Sequence, residues 1–515
     1  MTTQNSFRNE PLLEFRRESV RAQALRALEE LRGKLPLQLA AGAAGELLIS
    51  TNPADPDEVI AIAPDSSRGD ADSAVERASA AFPGWSALAA AERAAVLQRA
   101  AGLMRERRHE LAALAVLEAG KPWAEADGDV CEAIDFLEYY AAGAIALDKG
   151  HPLVQLPGER NTLRYFPRGV CAVIAPWNFP LAIPMGMVSA ALATGNTVVF
   201  KPAEQTPACG HAVVEALHAA GVPADALQLV TGGDEPAKAL VAHAKVHMIA
   251  FTGSVGAGLS IIGTAAVPAP GQHHIKRVIA EMGGKNCVIV DADADLDDAV
   301  PAIIKSAFGF AGQKCSAASR VLVHRDIADA LNERLAGAIQ ALRVGPAEDF
   351  GSDLSAVIDE EAQDRIAAFL DGARAEPRAT AALPDAAGHY VAPTLFVDLP
   401  GDSRIVNEEV FGPVLSSERV DSVEAAVELI ESGSYGLTGG LFSRSPSTID
   451  MVSQRGIVGN LYVNREITGA MVGRQPFGGG RMSGTGPKAG GPDYLLQFVE
   501  ARSVSENTVR HGLVI

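Results

Sequence analysis

Aromatic side chains are scarce, at 5% of 515 residues, and cysteine occurs only five times. Cys131, Cys171, Cys209, Cys287 and Cys315 stand far apart, with no C-x-x-C pair and no His/Cys spacing of a metal site. Their odd number rules out complete pairing within the chain, so a reducing cytoplasm and no bound metal are expected. Positive charge is also short: 44 Lys and Arg face 63 Asp and Glu, a formal net charge of −19. Nucleic acid and anionic membrane surfaces would be repelled at long range and are not expected partners. Long apolar runs are missing as well. The most apolar stretch, 170–200, is broken by Pro176, Asn178, Pro180 and Pro184, which excludes a clean membrane span. Residues 1–35 have no apolar segment of a signal peptide, and Glu10, Glu14 and Glu18 among the arginines speak against a transit peptide.

What is abundant is alanine and glycine, with 50 glycines in all. A chain of this length should split into two or three domains, and this composition suits an α/β protein with many tight strand-to-helix turns. Residues 16–144 read mostly as helices, with Leu25, Leu28 and Leu31 on one apolar face. From residue 170 a βαβ alternation is expected: strands at 170–174, 197–200, 227–230, 246–251 and 277–281, with helices at 183–193 and 208–219. That pattern implies a parallel sheet. A second α/β block runs from Cys287 to about residue 468, and the Gly- and Pro-rich run 478–492 reads as a long connection to a polar, β-branched tail.

Several segments carry groups suited to chemistry. Cys315 lies between Gly312 and Ser316 in F-G-F-A-G-Q-K-C-S, among small and polar residues that leave room for a substrate carbon. A lone cysteine is more often a small buried hydrophobe, so its neighbours must decide. T-G-S-V-G-A-G, residues 252–258, follows a strand and opens a helix whose free N–H groups suit a phosphate, or it is plain turn chemistry. Lys201 and Glu204 follow a strand at the edge where open α/β sheets bind ligands; they suit ribose hydroxyls, or form a solvated loop. Asn178 in P-W-N-F-P is an oxyanion donor or a turn former. Glu281 ends an apolar strand, where burial would raise its pKa toward a general base's range, or it is a salt-bridged strand end. Glu409 and Phe411 sit in E-E-V-F-G-P, a motif of little meaning alone.

Together and in this order, P-W-N-F-P, F-K-P-A-E, F-T-G-S, E-M-G-G-K-N, G-Q-K-C and E-E-V-F-G-P resemble the aldehyde dehydrogenase superfamily over nearly the whole chain. Met282 stands where leucine is commoner in that family, a change expected to be neutral. The resemblance implies a nucleophilic Cys315, an oxyanion held by Asn178 and the Cys315 N–H, and Glu281 as the base that activates a hydrolytic water. It also implies an NAD site formed by Ile174, Pro176, Trp177, Lys201, Glu204, Gly253, Ser254, Gly258, Met282, Gly283, Glu409 and Phe411. Lys201 and Glu204 would hold the adenosine ribose, Ser254 the pyrophosphate and Glu409 the nicotinamide ribose. Glu204 would repel a 2′-phosphate, favouring NAD over NADP.

T-G-A-M-V-G-R-Q-P-F-G-G, residues 468–479, looks like the 1-pyrroline-5-carboxylate dehydrogenase branch, whose substrate is L-glutamate 5-semialdehyde. Asn9-Glu10-Pro11, D-F-L-E-Y-Y at 135–140 and K-C-S at 314–316 agree with it. In that pattern Gly469, Ala470 and Ser316 bind the substrate α-carboxylate. Successive N–H groups form a nest that needs no arginine. Phe179 and Phe477 would wall the aliphatic part, and Glu138 and Lys314 would lie near the aldehyde. The family analogy gives an NAD-binding domain (1–154 and 171–280), a catalytic domain (281–480) and a β flap for oligomerisation (155–170 and 481–515). A homodimer or dimer-built hexamer follows. The rivals are a dehydrogenase of another semialdehyde such as succinate semialdehyde, and a non-oxidising thiol protein, either CoA-dependent or a redox sensor. An arginine serving the carboxylate would favour the first; Glu281 disfavours the second.

Overall fold

The computed structural model describes residues 7–39 and 46–509. The first six residues of the expected cofactor domain, and residues 510–515 of the expected flap, lie outside that range.

Two parallel sheets dominate. The first has five strands in the order Leu227–Leu229, Thr197–Lys201, Val170–Ile174, Val246–Thr252, Arg277–Glu281, all pairs parallel. Val170–Ile174 and Thr197–Lys201 are buried at every position, because helices cover both faces and β-branched runs fill the sheet without alternation. The chain builds outward on one side of Val170–Ile174, then crosses to the other side with Val246–Thr252. Strand order therefore reverses between these two strands, where Ile174 pairs with Phe251. Open α/β sheets bind ligands in the crevice at the carboxyl ends of such a switch point. The segments that leave the two strands there are P-W-N-F-P and T-G-S.

The second sheet has seven strands in the order Ala379–Thr380, Thr394–Val397, Val414–Val420, Ala318–His324, Asn286–Val290, Thr438–Phe442, Asn460–Val463. Only its outermost pair, Ala379–Thr380 with Thr394–Val397, is antiparallel. Glu281 is the last residue of the first sheet, and Asn286 the first residue of the second. Residues 282–285 thus join the carboxyl edge of one sheet to the amino edge of the other. Cys315 and Glu409 each lie a few residues before neighbouring strands of the second sheet, Ala318–His324 and Val414–Val420. This topology brings residues 230 positions apart and more to one seam.

Glu159–Pro167 and Val499–Asn507 form an antiparallel ribbon apart from both sheets, in register from Pro167↔Val499 to Glu159↔Asn507. The 478–492 connection is less open than expected: Gly480–Arg481 pairs with Tyr435–Gly436, and bridges join Phe477 to Ala489 and Glu281 to Gly484.

Residues 16–144 correct the sequence reading in part. Five helices are present among the described residues, Glu18–Arg32, Arg68–Ser86, Ala90–Glu106, Arg108–Ala119 and Trp123–Asp148, while 40–45 lie outside them. A three-stranded sheet of Leu37–Gln38, Asp55–Pro64 and Leu47–Asn52 interrupts them. In the first helix Ala24, Leu28 and Leu31 form the buried face while Leu25 is 42% exposed, since the contact stripe lies one residue toward the N-terminus.

Candidate active site

The turn before Cys315 is conformationally unusual. Phe310 and Ala311 hold φ of 53° and 52°, and Gly312 follows at 71°. Left-handed backbone of this kind costs side-chain-bearing residues energy, and it is tolerated where packing enforces it. Phe310 and Ala311 are buried, and a Cβ on Gly312 would collide with the Gly412 carbonyl of E-E-V-F-G-P. The turn is clamped from behind. Asn286 donates its amide to the carbonyls of Cys315 at 2.7 Å and Ala317 at 2.9 Å, and accepts from the Thr438 N–H at 3.1 Å. Cys315 itself is half-buried while Gln313, Lys314 and Ser316 are buried.

Cys315 opens into a cavity walled by Glu281, Met282, Thr252, Ala470, Phe477, Phe136, Met187 and Glu132. Glu281 is 8% exposed, and burial pushes its pKa up to about 8. Its Oε2 accepts weakly from the Gly479 N–H at 3.4 Å, and its Oε1 is buried without a hydrogen-bond partner. A buried orphan oxygen asks for a donor, and a water would serve. Gly478 and Gly484 allow the backbone to pass close to this carboxylate, since a Cβ would lie 2.9 Å from Oε1 at Gly478 and 3.1 Å from Oε2 at Gly484. Burial, then the carboxylates of Glu409, Glu281 and Glu132, push the Cys315 thiol up to about 12. A neutral thiol surrounded by acids becomes a nucleophile only when positive charge enters or a base takes its proton.

Asn178 lies directly behind the Cys315 turn. Its Nδ2 donates to the Gln313 carbonyl at 3.0 Å, and the residue is 3% exposed. The turn is supported by Lys121, which sequence reasoning missed. That lysine is fully buried, donates to the Asn178 carbonyl at 2.6 Å, lies 3.9 Å from Asp129 and covers the Phe179 ring at 3.7 Å. Asp129 accepts from the Ala182 N–H at 2.8 Å, so a buried ion pair fixes both ends of the 178–182 turn. Nothing around G-K-P-W in the sequence signals that its lysine is buried.

A second cleft opens at the switch point. Ile174, Pro176, Trp177, Lys201, Glu204, Gly253 and Ser254 all line it, as expected of a dinucleotide site. Lys201 is 4% exposed, with Nζ 3.0 Å from the Pro202 carbonyl and 3.7 Å from Glu204; burial lowers its pKa. Ser254 caps the helix Val255–Ala265 by accepting from the Ala257 N–H at 3.2 Å. Its hydroxyl proton and the first N–H groups of that helix remain to meet an anion. Gly258 does not line the cleft; a Cβ there would strike the Met282 sulfur, so this glycine lets the helix approach Met282. Glu409 accepts from the Gly284 N–H at 2.9 Å and lies against Gly283, where a Cβ would run into its carboxylate. Burial raises its pKa to about 7. Phe411, at φ 51°, meets Trp177 edge-on at 5.7 Å, and Trp177 meets Phe310 at 6.4 Å. These rings join the P-W-N-F-P segment to the Cys315 turn. The buried lysine and the free helix N–H groups fit an anionic dinucleotide, whereas Gly258 and Gly283 serve close packing within the protein and do not line the cleft.

Among the expected substrate residues, Ala470 and Phe477 reach the Cys315 cavity. Gly469, at φ 74°, starts the same loop but is exposed. Ser316 is buried beside Cys315, and its carbonyl accepts from Thr438 Oγ1 at 3.2 Å. Lys314 turns to Glu125 at 2.6 Å, and Phe179 stacks on Lys121. Glu138 lies elsewhere: it pairs with Arg105 at 3.0 Å and lines a separate groove with Phe7 and Arg8. The carboxylate that its helix presents to Cys315 is Glu132, with burial raising its pKa to about 8. Glu132 and Phe136 share a face at i, i+4, whereas Glu138 is rotated away, and that periodicity was the available signal.

A thiol, an acid with a free oxygen and a cleft at a switch point recur in known proteins. The profile of the aldehyde dehydrogenase family matches residues 41–504. The 1-pyrroline-5-carboxylate dehydrogenase of Geobacillus kaustophilus (strain HTA426) is 42% identical over 509 residues, 97% of this chain and 99% of its own. 1-pyrroline-5-carboxylate dehydrogenase 2 of Bacillus subtilis (strain 168) is 45% identical over 462 residues, 89% of this chain and 90% of its own. The crystal structure of 1-pyrroline-5-carboxylate dehydrogenase from Thermus with bound NAD superposes with a TM-score of 0.94 at 40% identity, covering 98% of this chain and all of that one. Proline utilization A from Bdellovibrio bacteriovorus, inactivated by N-propargylglycine, superposes with a TM-score of 0.96 at 44% identity; this chain spans 54% of its length. With the profile covering most of the chain and relatives above 40% identity end to end, the chain belongs to the aldehyde dehydrogenase family.

Proposed function

We propose that this enzyme oxidises L-glutamate 5-semialdehyde, the opened form of 1-pyrroline-5-carboxylate, to L-glutamate with NAD, the closing step of proline breakdown. The observation that carries the reading is one cavity walled at once by Cys315, Glu281, Ala470 and Phe477. No arginine or lysine lines that cavity among the described residues, which favours a carboxylate held by backbone N–H groups over the arginine clamp of a rival specificity.

In this mechanism Cys315 attacks the aldehyde carbon, its proton passing to an ionised carboxylate or water in the cavity, and the oxyanion is held by the Asn178 amide and the Cys315 N–H. The Nδ2 of Asn178 carries a second proton beyond the one given to Gln313. NAD, when bound, supplies the two-electron acceptor that leaves a thioester on Cys315. Lys201 and Glu204 would hold the adenosine ribose, Ser254 with its helix N–H groups the pyrophosphate, and Glu409 the nicotinamide ribose. Glu281 then takes a proton from water, and that water hydrolyses the thioester. Gly469, Ala470 and Ser316 would hold the α-carboxylate, between Phe179 and Phe477.

The reading extends to assembly and place. Residues 1–154 with 171–280 form the cofactor domain, 281–480 the catalytic domain, and 155–170 with 481–515 a flap that joins subunits into a homodimer or a dimer-built hexamer in the cytoplasm. Exposed apolar side chains on this ribbon and the segment before it, Val154 at 85%, Leu156 at 61% and Val504 at 56%, support a partner covering them. No described helix is long and apolar enough to cross a membrane.

NADH formation from 1-pyrroline-5-carboxylate, succinate semialdehyde and propanal tests the reading. Preference for the first is expected, with activity abolished by Cys315→Ala and the preference lost in Ala470→Asp, which sets a carboxylate against the substrate's own. Equal turnover of all three would refute the specificity; no NADH from any would refute the dehydrogenase.

A further inference from the structure

The N-terminal arm, residues 7–13, runs along the helix Trp123–Asp148 and ends at the loop that carries Ala470. Two aspartates of that helix staple it. Asp127 accepts from the Leu13 N–H at 2.8 Å and is itself gripped by Arg108 at 2.6 and 2.8 Å, while Arg108 also donates to the Pro11 carbonyl at 2.8 Å. Eight residues on, Asp135 accepts from the Glu10 N–H at 2.7 Å and from Asn9 Nδ2 at 2.7 Å. The same Asn9 nitrogen donates to the Val472 carbonyl at 2.9 Å. That bond crosses from the arm to the wall of the Cys315 cavity, which both Val472 and Ala470 line.

Among the described hydrogen bonds Asn9 is the sole donor to the Val472 carbonyl. The rest of the loop is held by other means: Met471 and Gln475 bond each other at 2.9 and 3.1 Å, and Gly473 donates to Gly490 at 2.8 Å. Gly473, at φ 74°, has no side chain where Phe7 and Tyr139 close on it; a Cβ would meet them at 3.3 and 3.2 Å. A nest of N–H groups binds an anion well only if its peptide planes are already oriented. Without the Asn9 bond the Val472–Gly473 peptide, two residues from Ala470, is held at one end only, by the Gly473 N–H on the Gly490 carbonyl.

We propose that Asn9 is a positioning residue for substrate specificity: it bridges Asp135 and the Val472 carbonyl and so presets the Ala470 loop for the substrate α-carboxylate. This rests on the reading that the Gly469–Ala470 loop binds that carboxylate. The Asn-Glu-Pro segment at residues 9–11 thereby acquires a physical task. Asn9 touches neither substrate nor Cys315; it acts through the loop.

Steady-state kinetics of the full-length enzyme with 1-pyrroline-5-carboxylate and with propanal, which has no carboxylate, test this, alongside thermal melting. Asn9→Ala is expected to raise KM for 1-pyrroline-5-carboxylate about tenfold, the loss of one neutral hydrogen bond. Its kcat should stay within about twofold and kcat/KM for propanal should not change. The exchange Asn9→Asp with Asp135→Asn rebuilds the arm-to-helix bonds, since the new amide donates to the new carboxylate and its oxygen still accepts from Glu10. It cannot donate to Val472, so the melting temperature should recover while KM stays raised. Recovery of KM in the exchange would overturn the proposal, as would an equal loss on both aldehydes in Asn9→Ala. Ala470→Asp separates the two readings. If it raises KM for 1-pyrroline-5-carboxylate and Asn9→Ala does not, the role of Asn9 falls and the loop stands. If Ala470→Asp leaves that KM unchanged, the loop reading itself falls and takes the proposal with it.

Discussion

At the scale of single residues, the cavity is set by carboxylates kept out of water. Glu281 has a folded pKa raised to about 8 from an ordinary 4.5. Between those values the folded protein binds a proton that the unfolded chain has released, so this group's contribution to stability declines as pH rises from 4.5 to 8. In the proposed role of Glu281 catalysis runs the other way, because only the ionised form takes a proton from water. The steady-state rate should therefore climb through pH 8 while the fold loses stability. Glu281→Gln should give a burst of NADH of one per active site, followed by turnover reduced about a hundredfold or more. Its melting temperature should equal that of the wild type near pH 4.5 and exceed it by about 2 °C or more at pH 8.5. Unchanged turnover, or a melting difference independent of pH, would contradict these roles. The glutamates also show where residue-level reading stops. Glu281 announces itself by ending an apolar strand, but Glu132 and Glu138 share one helix and similar neighbours. Helical periodicity separates them, since Glu132 shares a face with Phe136 and Glu138 does not, but only the packing of that helix shows that this face meets Cys315. Lys121 is the extreme case, a charged residue whose burial depends on Asp129 and two aromatic rings that fold onto it.

Among elements, the five strands of the first sheet were legible to within two residues at each end. Strands buried on both faces must be continuous apolar runs, and turns bound them. The strands Leu47–Asn52 and Asp55–Pro64 were not legible, because their pairing shifts register twice and breaks the alternation that marks a hairpin. The 478–492 connection was recognised as glycine-rich, yet its glycines admit Glu281 to the cavity, which needs the folded partner to see. Gly283 belongs to the same class of close approach. Gly283→Ala would force a methyl group into the space of the Glu409 carboxylate. Overpacking of this kind costs about 1–3 kcal/mol, so KM for NAD should rise about tenfold while the protein remains folded. An unaltered KM for NAD would show that Glu409 does not meet the cofactor.

For the whole molecule, the ribbon of Glu159–Pro167 and Val499–Asn507 touches neither large sheet edge within the chain. Ending the chain after Phe498 would strip Glu159–Pro167 of its partner strand, and on the proposed assembly sedimentation should then find monomers in place of a dimer or larger. An unchanged sedimentation profile would remove the ribbon from assembly. The link 282–285 has a different consequence. Glu281 rides on the sheet that carries the cofactor cleft, and Cys315 rides on the other. A few degrees of rotation between the sheets would alter the span from base to thiol while leaving each secondary structure intact. With Glu281 and Cys315 in their proposed roles, hydrolytic competence would be a property of the angle between two halves: an opened seam would withdraw the water-activating group from the acylated sulfur, and an intermediate would survive until the halves closed again.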